Sequence, residues 1–110
     1  MAKVFISGPM TGIEDWNRPA FMEAEYLLRM EGHIVMNPAV LPLGFTWKDY
    51  MEISLQMLGA CDAVYMLNGW EDSAGARLER KYAIRRGMKV WENEGMLRPD
   101  YMTQFEVELW

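Results

Sequence analysis

Residues 62–87, DAVYMLNGWEDSAGARLERKYAIRRG, decide how the rest of the chain is interpreted. They open with an almost wholly apolar run at residues 62–67, which is typical of a strand buried on both faces of a sheet. The dipeptide Asn-Gly at 68–69 indicates a turn. Residues 74–86 then have the pattern of a helix that ends at Gly87. The stretch therefore predicts one strand–turn–helix unit of an α/β protein.

The same alternation of strand and helix continues on both sides of this stretch. Further strands are predicted at residues 3–7, 34–36 and 88–91, and further helices at residues 19–30 and 47–58. Pro19 suits the first turn of its helix, and Thr46 is a typical N-cap residue with Asp49 in the following turn. We therefore predict a small three-layer, Rossmann-like or flavodoxin-like α/β domain with a parallel sheet of about four strands.

The chain length favours one domain over residues 1–110, because 110 residues leave little room for a second core. Residues 92–110 form a C-terminal tail with two readings. Arg98-Pro99-Asp100 favours the start of a helix, whereas FEVELW at 105–110 alternates as a strand does.

The charge pattern argues against a nucleic acid polymer as partner. The formal net charge is -5, and a nucleic-acid groove needs clustered basic side chains. Residues 77–89 do hold six of them. Their spacing favours a solvated helix face, and a local anion-attracting face is the alternative.

Cysteine and histidine usage limits the chemistry further. The single cysteine, Cys61, cannot form an internal disulfide, and its apolar surroundings favour a core residue over a nucleophile. The single histidine, His33, excludes a metal site built on histidines. We predict no metal and no cofactor. Without a signal peptide or a membrane-length apolar run, the sequence predicts a cytoplasmic protein.

The predicted fold indicates where a ligand would bind. In parallel sheets, ligands bind beyond the carboxyl ends of the strands, and there the segments 8–17, 37–46 and 68–73 converge. Gly8 and Gly12 permit close approach of the backbone, although no phosphate-binding glycine motif is present. The candidate substrate contacts from these segments and the helix that follows are Gly8, Pro9, Met10, Asn17, Asn37, Trp70, Asp72, Ser73 and Gly75.

The pattern D-S-x-G-x-x-x-E at residues 72–79 carries the candidate chemistry. Ser73 is a natural N-cap, but Glu79 lies too far along the helix to complete a capping box. One reading makes Glu79 an ordinary helix carboxylate that faces a basic side chain one turn away. In the other, Ser73 and free N–H groups bind an anion or hydroxyl, and Glu79 lies roughly 9 Å along the axis. That separation suits a sugar's 5′ substituent and its anomeric carbon.

Several motifs occur together: ISGPMTG at 6–12, Asn17, Phe21, Gly32, NPA at 37–39, Trp47, Tyr50-Met51, Leu58, Cys61-Asp62 and NGWEDSAGARLE at 68–79. Over residues 3–91 they resemble a family of small phage and bacterial proteins of uncharacterised function (DUF4406-like). That family is related to the nucleoside 2-deoxyribosyltransferases and to the nucleotide N-glycosidases, which hydrolyse deoxynucleoside monophosphates.

The resemblance implies a covalent or an oxocarbenium mechanism at C1′ of a nucleoside. Glu79, ionised, would be the nucleophile, and Asp62 matches a second acidic position. Ser73 matches the position that holds a 5′-phosphate in the hydrolases, and Gly8 matches the loop glycine that lies against the sugar. Relatives complete each site with a neighbouring subunit, which implies a homodimer or higher homo-oligomer and offers the aromatic tail a contact; packing of the tail on its own domain is the alternative.

Three functions remain open from the sequence. The first is cleavage of the N-glycosidic bond of a nucleoside or its 5′-monophosphate, by hydrolysis or base exchange. The second is a nucleotide-binding sensor or sequestering protein without turnover. The third is an interaction module with a tryptophan-rich surface. Trp16, Trp47 and Trp70 lie on or near the loops and suit either stacking on a base or packing.

Overall fold

The computed structural model describes residues 1–92. The strands are β1 (Lys3–Ser7), β2 (Ile34–Met36), β3 (Ala63–Met66) and β4 (Lys89–Glu92), and the helices are α1 (Arg18–Met30), α2 (Trp47–Gly59) and α3 (Ala74–Arg85). The tail predictions for residues 93–110, including the contact of Tyr101, Phe105 and Trp110 with a neighbouring subunit, lie outside the described residues. Within residues 1–92, no helix is both long and apolar enough to cross a lipid bilayer.

The sheet is parallel throughout and has the strand order β2-β1-β3-β4. Successive residues of a strand point to opposite faces, so β1 contributes to two cores. Val4 and Ile6 pack with α1 on one face. Phe5 packs with α2 and α3 on the other. The predicted three-layer α/β fold with a parallel sheet is confirmed.

Two polar caps determine where helices begin at the carboxyl edge of the sheet. The Thr46 hydroxyl accepts a hydrogen bond from the Asp49 N–H (3.1 Å), and the Asp49 carboxylate accepts one from the Thr46 N–H (3.2 Å), which completes a capping box. The Ser73 hydroxyl accepts from the Ala76 N–H at 3.2 Å. Both predicted N-caps are confirmed, and each directs the first turn of its helix toward the same end of the domain.

Gly8 lets the chain leave β1 in close contact with the end of β3. The Leu67 N–H donates to the Ser7 carbonyl at 2.8 Å. A Cβ atom on Gly8 would lie 2.8 Å from the Leu67 Cβ, a distance at which one of the two segments must shift. Packing against β3 is therefore a sufficient reason for glycine here. It also holds Ser7, the last residue of β1, in position.

We expect Gly8→Ala to lower the free energy of unfolding by about 1–3 kcal/mol, because the added methyl group overpacks a rigid contact. Urea denaturation measures the change. Gly59→Ala is the matched control, since a Cβ there would meet only the Tyr82 hydroxyl, at 3.1 Å, and alanine favours the helix. Equal stability of the two variants would contradict the packing role of Gly8.

Candidate functional site

A cavity of about 260 Å³ opens at the carboxyl edge of the sheet. Two of the three segments expected to converge there do line it, namely those that follow β1 and β2, and the first half of α2 joins them. The third segment contributes only Ser73, at the start of α3. The lining residues discussed below are Gly8, Met10, Trp16, Arg18, Phe45, Trp47, Tyr50, Ser54, Ser73, Gly75 and Glu79.

Glu79 lies in the wall of this cavity with its side chain turned toward the sheet. The residue is only 6% exposed, although it belongs to a surface helix. The Ser7 hydroxyl donates to its Oε1 at 2.5 Å, and the Ser54 hydroxyl forms a second hydrogen bond with the carboxyl group. Glu79 therefore joins α3 to β1 and α2, and does not face a basic side chain of its own helix.

The environment of Glu79 makes it a carboxyl group that titrates near neutrality. Burial raises the pKa of Glu79 to about 7, and the hydrogen bonds from Ser7 and Ser54 oppose that rise. Removal from water disfavours the charged form, whereas hydroxyl donors favour it. A pKa near 7 means that Glu79 takes up a proton more readily than an exposed glutamate, and the prediction that it acts in its ionised form stays a prediction. A carboxyl group of this kind suits nucleophilic or acid–base chemistry.

Aromatic side chains form the outer walls of the cavity. Trp16 and Trp47 are 43% and 52% exposed. The Phe45 and Tyr50 rings pack edge to face at 5.8 Å, and the Tyr50 hydroxyl donates to the Pro42 carbonyl at 2.6 Å. Such flat apolar surfaces suit a planar ring system.

Trp16 lies in an unusual stretch of backbone. The φ values of Asp15, Trp16 and Asn17 are 54°, 54° and 63°. This left-handed conformation is unfavourable for L-residues other than glycine. The Asn17 side chain donates to the Pro9 carbonyl at 2.9 Å and links the two ends of this loop. The loop thus holds Trp16 at the cavity, and Asn17 supports the loop without lining the cavity.

Among residues 1–92, Arg18 is the only cationic residue that lines the cavity, and Glu79 is the only acidic one. The Arg18 Nε is buried without a hydrogen-bond partner among residues 1–92. In the same part of the chain, no group of three His, Cys, Asp or Glu side chains is placed to hold a metal ion.

The structure brings five predicted site residues to the cavity: Gly8, Met10, Ser73, Gly75 and Glu79. Gly75 also packs against α2, since a Cβ there would lie 3.1 Å from the Met51 Sδ. Its lack of a side chain therefore serves helix packing as well as access.

Four other predicted contacts, besides Asn17, have structural partners outside the cavity lining. Pro9 is buried beside Gly69. The Asn37 side chain accepts from the Ala39 N–H at 2.8 Å and donates to Glu25 at 2.9 Å. The Trp70 ring lies under the Arg80 guanidinium at 4.6 Å. Asp72 belongs to the turn that precedes α3.

Asp62 is not brought to the cavity. It immediately precedes β3 and lies at the amino edge of the sheet, where its Oδ2 accepts from the Lys3 N–H at 3.0 Å. Glu79 is bonded instead to Ser7, at the carboxyl end of β1. Within one subunit the two carboxylates therefore cannot act on the same bond, and Asp62 ties the start of β1 to the start of β3.

Sequence reasoning assigned no role to Ser7 or Ser54. Ser7 ends an apolar strand, and Ser54 lies four residues from both Tyr50 and Leu58 on the inner face of α2. When the hydrophobic period places a polar residue at a buried position, that residue usually has a buried hydrogen-bond partner. That signal could have identified both hydroxyls, although not the carboxyl group that they share.

Comparison with known proteins adds a family and a fold. A family model described as a domain of unknown function (DUF4406) matches residues 2–92. No curated protein matches the sequence. Among solved structures, a 2-desoxiribosyltransferase from Leishmania mexicana is similar, with a TM-score of 0.67 over 84% of this chain and 18% identity. The chain spans 63% of that protein's length, and the likeness shows a shared fold.

We expect Ser7→Ala to raise the pKa of Glu79 further, by roughly one to two pH units, because a donor to the charged form is lost. Carbon-detected NMR titration of the glutamate carboxyl groups measures the change. Ser73→Ala removes a hydroxyl that also lines the cavity but bonds to the Ala76 N–H. An equal shift in both variants, or none in Ser7→Ala, would contradict the direct contact.

The free energy of unfolding of Glu79→Gln, relative to that of the wild type, should be higher at pH 8 than at pH 5. The pKa of Glu79 is about 7 in the folded chain against 4.5 for a free carboxyl, so the folded state binds the proton more tightly. Its contribution to stability is complete below about pH 4.5 and is lost as the pH rises through about 7. The variant escapes this loss, which amounts to at most about 3 kcal/mol.

Chemical denaturation of both proteins between pH 5 and pH 8 measures this difference in stability. Glu52→Gln is the control, since Glu52 is 63% exposed in its ion pair with Lys48. A constant difference between Glu79→Gln and the wild type across this range would show that Glu79 titrates normally.

Proposed function

The chain belongs to the DUF4406 family, as its motifs predicted, and we propose that it cleaves the N-glycosidic bond of a nucleoside or nucleoside 5′-monophosphate. The observation that carries the proposal is the Glu79 carboxyl group, buried and held by two hydroxyls in the wall of an aromatic-lined cavity. Ligands of parallel α/β sheets bind at this edge. The fold shared with a 2-desoxiribosyltransferase supports the same assignment.

Glu79 supplies the nucleophile in this proposal. Its ionised carboxylate attacks C1′, a C1′–O bond forms, and the C1′–N bond breaks with its electron pair on the base nitrogen. The departing base takes up a proton. In hydrolysis, water then attacks C1′, the carboxylate leaves, and the water's proton is released. In base exchange, the nitrogen of a second base attacks instead and loses its proton.

The hydroxyls of Ser7 and Ser54 orient the carboxyl group and favour its charged form. Because burial brings its pKa to about 7, the group is a stronger base than an exposed glutamate while still partly ionised at pH 7. Position and reactivity therefore come from the same three side chains.

The remaining walls suit the other parts of such a substrate. The indole rings of Trp16 and Trp47 and the phenol ring of Tyr50 offer stacking surfaces for the base. Ser73, the N-cap of α3, lies six residues before Glu79, which is roughly 9 Å along the helix axis. This separation leaves room for the sugar.

A nucleotide-binding protein without turnover is the second candidate. It is favoured by one observation: apart from Glu79, no residue of the described part of the chain (1–92) that lines the cavity carries a carboxyl or imidazole group. This part of the chain therefore offers no second acid–base residue of these types to protonate the departing base. In that case Glu79 would be a hydrogen-bond partner of the ligand.

The deciding experiment incubates the protein with each nucleoside and 5′-monophosphate, ribo and deoxy, with and without a free acceptor base. Chromatography follows the release of the base and the formation of new nucleosides. We expect release by the wild type and a loss of at least about a thousandfold in Glu79→Gln, because the nucleophile is gone.

Glu52→Gln, which neutralises an exposed carboxylate, should retain the full rate. No release from any substrate, together with a rise in melting temperature on addition of a nucleotide, would favour the binding protein. Release that persists in Glu79→Gln would exclude Glu79 as the nucleophile.

A further inference from the structure

Arg18 lies in the wall of the cavity, and one nitrogen of its side chain lacks a hydrogen-bond partner within the described part of the chain. It is the first residue of α1 and is partly buried. Its Nε is buried without a hydrogen-bond partner among residues 1–92. Within the same residues its guanidinium forms no ion pair, and Glu79, the one acidic residue of the lining, is bonded to serine hydroxyls.

Within the described residues, the buried Nε of Arg18 lacks the partner that buried N–H donors almost always have. A partly buried guanidinium also favours an anion beside it. Arg80, the other partly buried arginine of residues 1–92, also has a buried Nε without a hydrogen-bond partner, but its guanidinium contacts the Glu92 carboxylate at 2.9 Å and the Trp70 ring. Arg18 has no such anionic or aromatic partner among these residues, so a ligand that enters the cavity can supply the missing anion.

The charge of the missing partner separates two kinds of ligand group. A carbonyl oxygen of a base would accept one hydrogen bond but would leave the positive charge uncompensated. A phosphate group both accepts paired N–H donors of a guanidinium and neutralises it. Among residues 1–92, the cavity lining holds no anionic side chain other than Glu79, which accepts a hydrogen bond from Ser7.

We propose that Arg18 binds the phosphate of the substrate, so that the site takes nucleoside 5′-monophosphates in preference to free nucleosides. This inference rests on the proposed function for its substrate class. It assigns the specificity of the site to a residue that the reaction at C1′ does not require, because the phosphate takes no part in breaking the C1′–N bond.

The test compares kcat/KM for nucleosides and their 5′-monophosphates in the wild type and in Arg18→Met, which keeps an unbranched apolar side chain without the charge. We expect the wild type to prefer the monophosphates. In Arg18→Met the ratio of the two kcat/KM values should fall by about tenfold to a hundredfold. Arg18→Lys, which keeps the charge without the paired donors, should give an intermediate ratio.

Arg85→Met is the matched control, because it removes the same charge from an exposed position in the last turn of α3. Its ratio of kcat/KM values should equal that of the wild type. A fall in this ratio as large as in Arg18→Met would show that the effect comes from the net charge of the protein and would overturn the inference. Circular dichroism melting confirms that each variant folds. If Arg18→Met does not fold, the test rests on Arg18→Lys. A ratio of kcat/KM values in Arg18→Lys equal to that of the wild type would overturn the binding of the phosphate by paired N–H donors.

Calorimetry with ribose 5-phosphate separates this inference from the proposed function, because that ligand has no glycosidic bond to a base. Binding that is lost in Arg18→Met supports the phosphate site even if no nucleotide is cleaved. Cleavage with equal losses for nucleosides and monophosphates in Arg18→Met would keep the function and overturn the phosphate role. A wild type without preference between the two substrates would also overturn it.

Discussion

The burial of the Glu79 carboxyl group is the constraint on which the site depends. An ionisable side chain that is 6% exposed is tolerated only where hydrogen bonds replace water. Ser7 supplies one such bond from the end of β1, and Ser54 supplies another from α2. Three elements that are distant in sequence must therefore meet at one carboxyl group. The same contacts that reduce the cost of burial also fix the position of the group in the cavity wall.

This arrangement couples the fold to the chemistry. Glu79 titrates near neutrality because α2, α3 and the sheet exclude water from it, so looser packing would return its pKa toward the ordinary range. The close contact of Gly8 with Leu67 bears on the same point, since it holds the chain immediately after Ser7. A residue that the sequence marked as a ligand contact thus acts in the fold as well, by fixing the position of a hydrogen-bond donor.

Much of the fold could be predicted from the sequence because its signals are local. The apolar run of β3, the N-caps Thr46 and Ser73, and the alternation of strands with helices all follow from short-range patterns. The same signals identified Glu79 as a carboxylate that capping does not explain. They could not show that Ser7 and Ser54 bind it, because that contact spans 72 residues from Ser7. Nor could they show that Arg18 lacks a partner, since that depends on every side chain around it.

The two acidic candidates differ in their position along a strand, and in a parallel sheet that position decides which edge a residue occupies. Ser7 is the last residue of β1, and so the helix residue bonded to it lies by the carboxyl edge. Asp62 comes just before the first residue of β3 and bonds to the N–H of Lys3, the first residue of β1. Carboxylates at opposite edges of a sheet cannot share a ligand within one subunit. Of the two, Glu79 is therefore the carboxylate around which the chemistry of this cavity can be built.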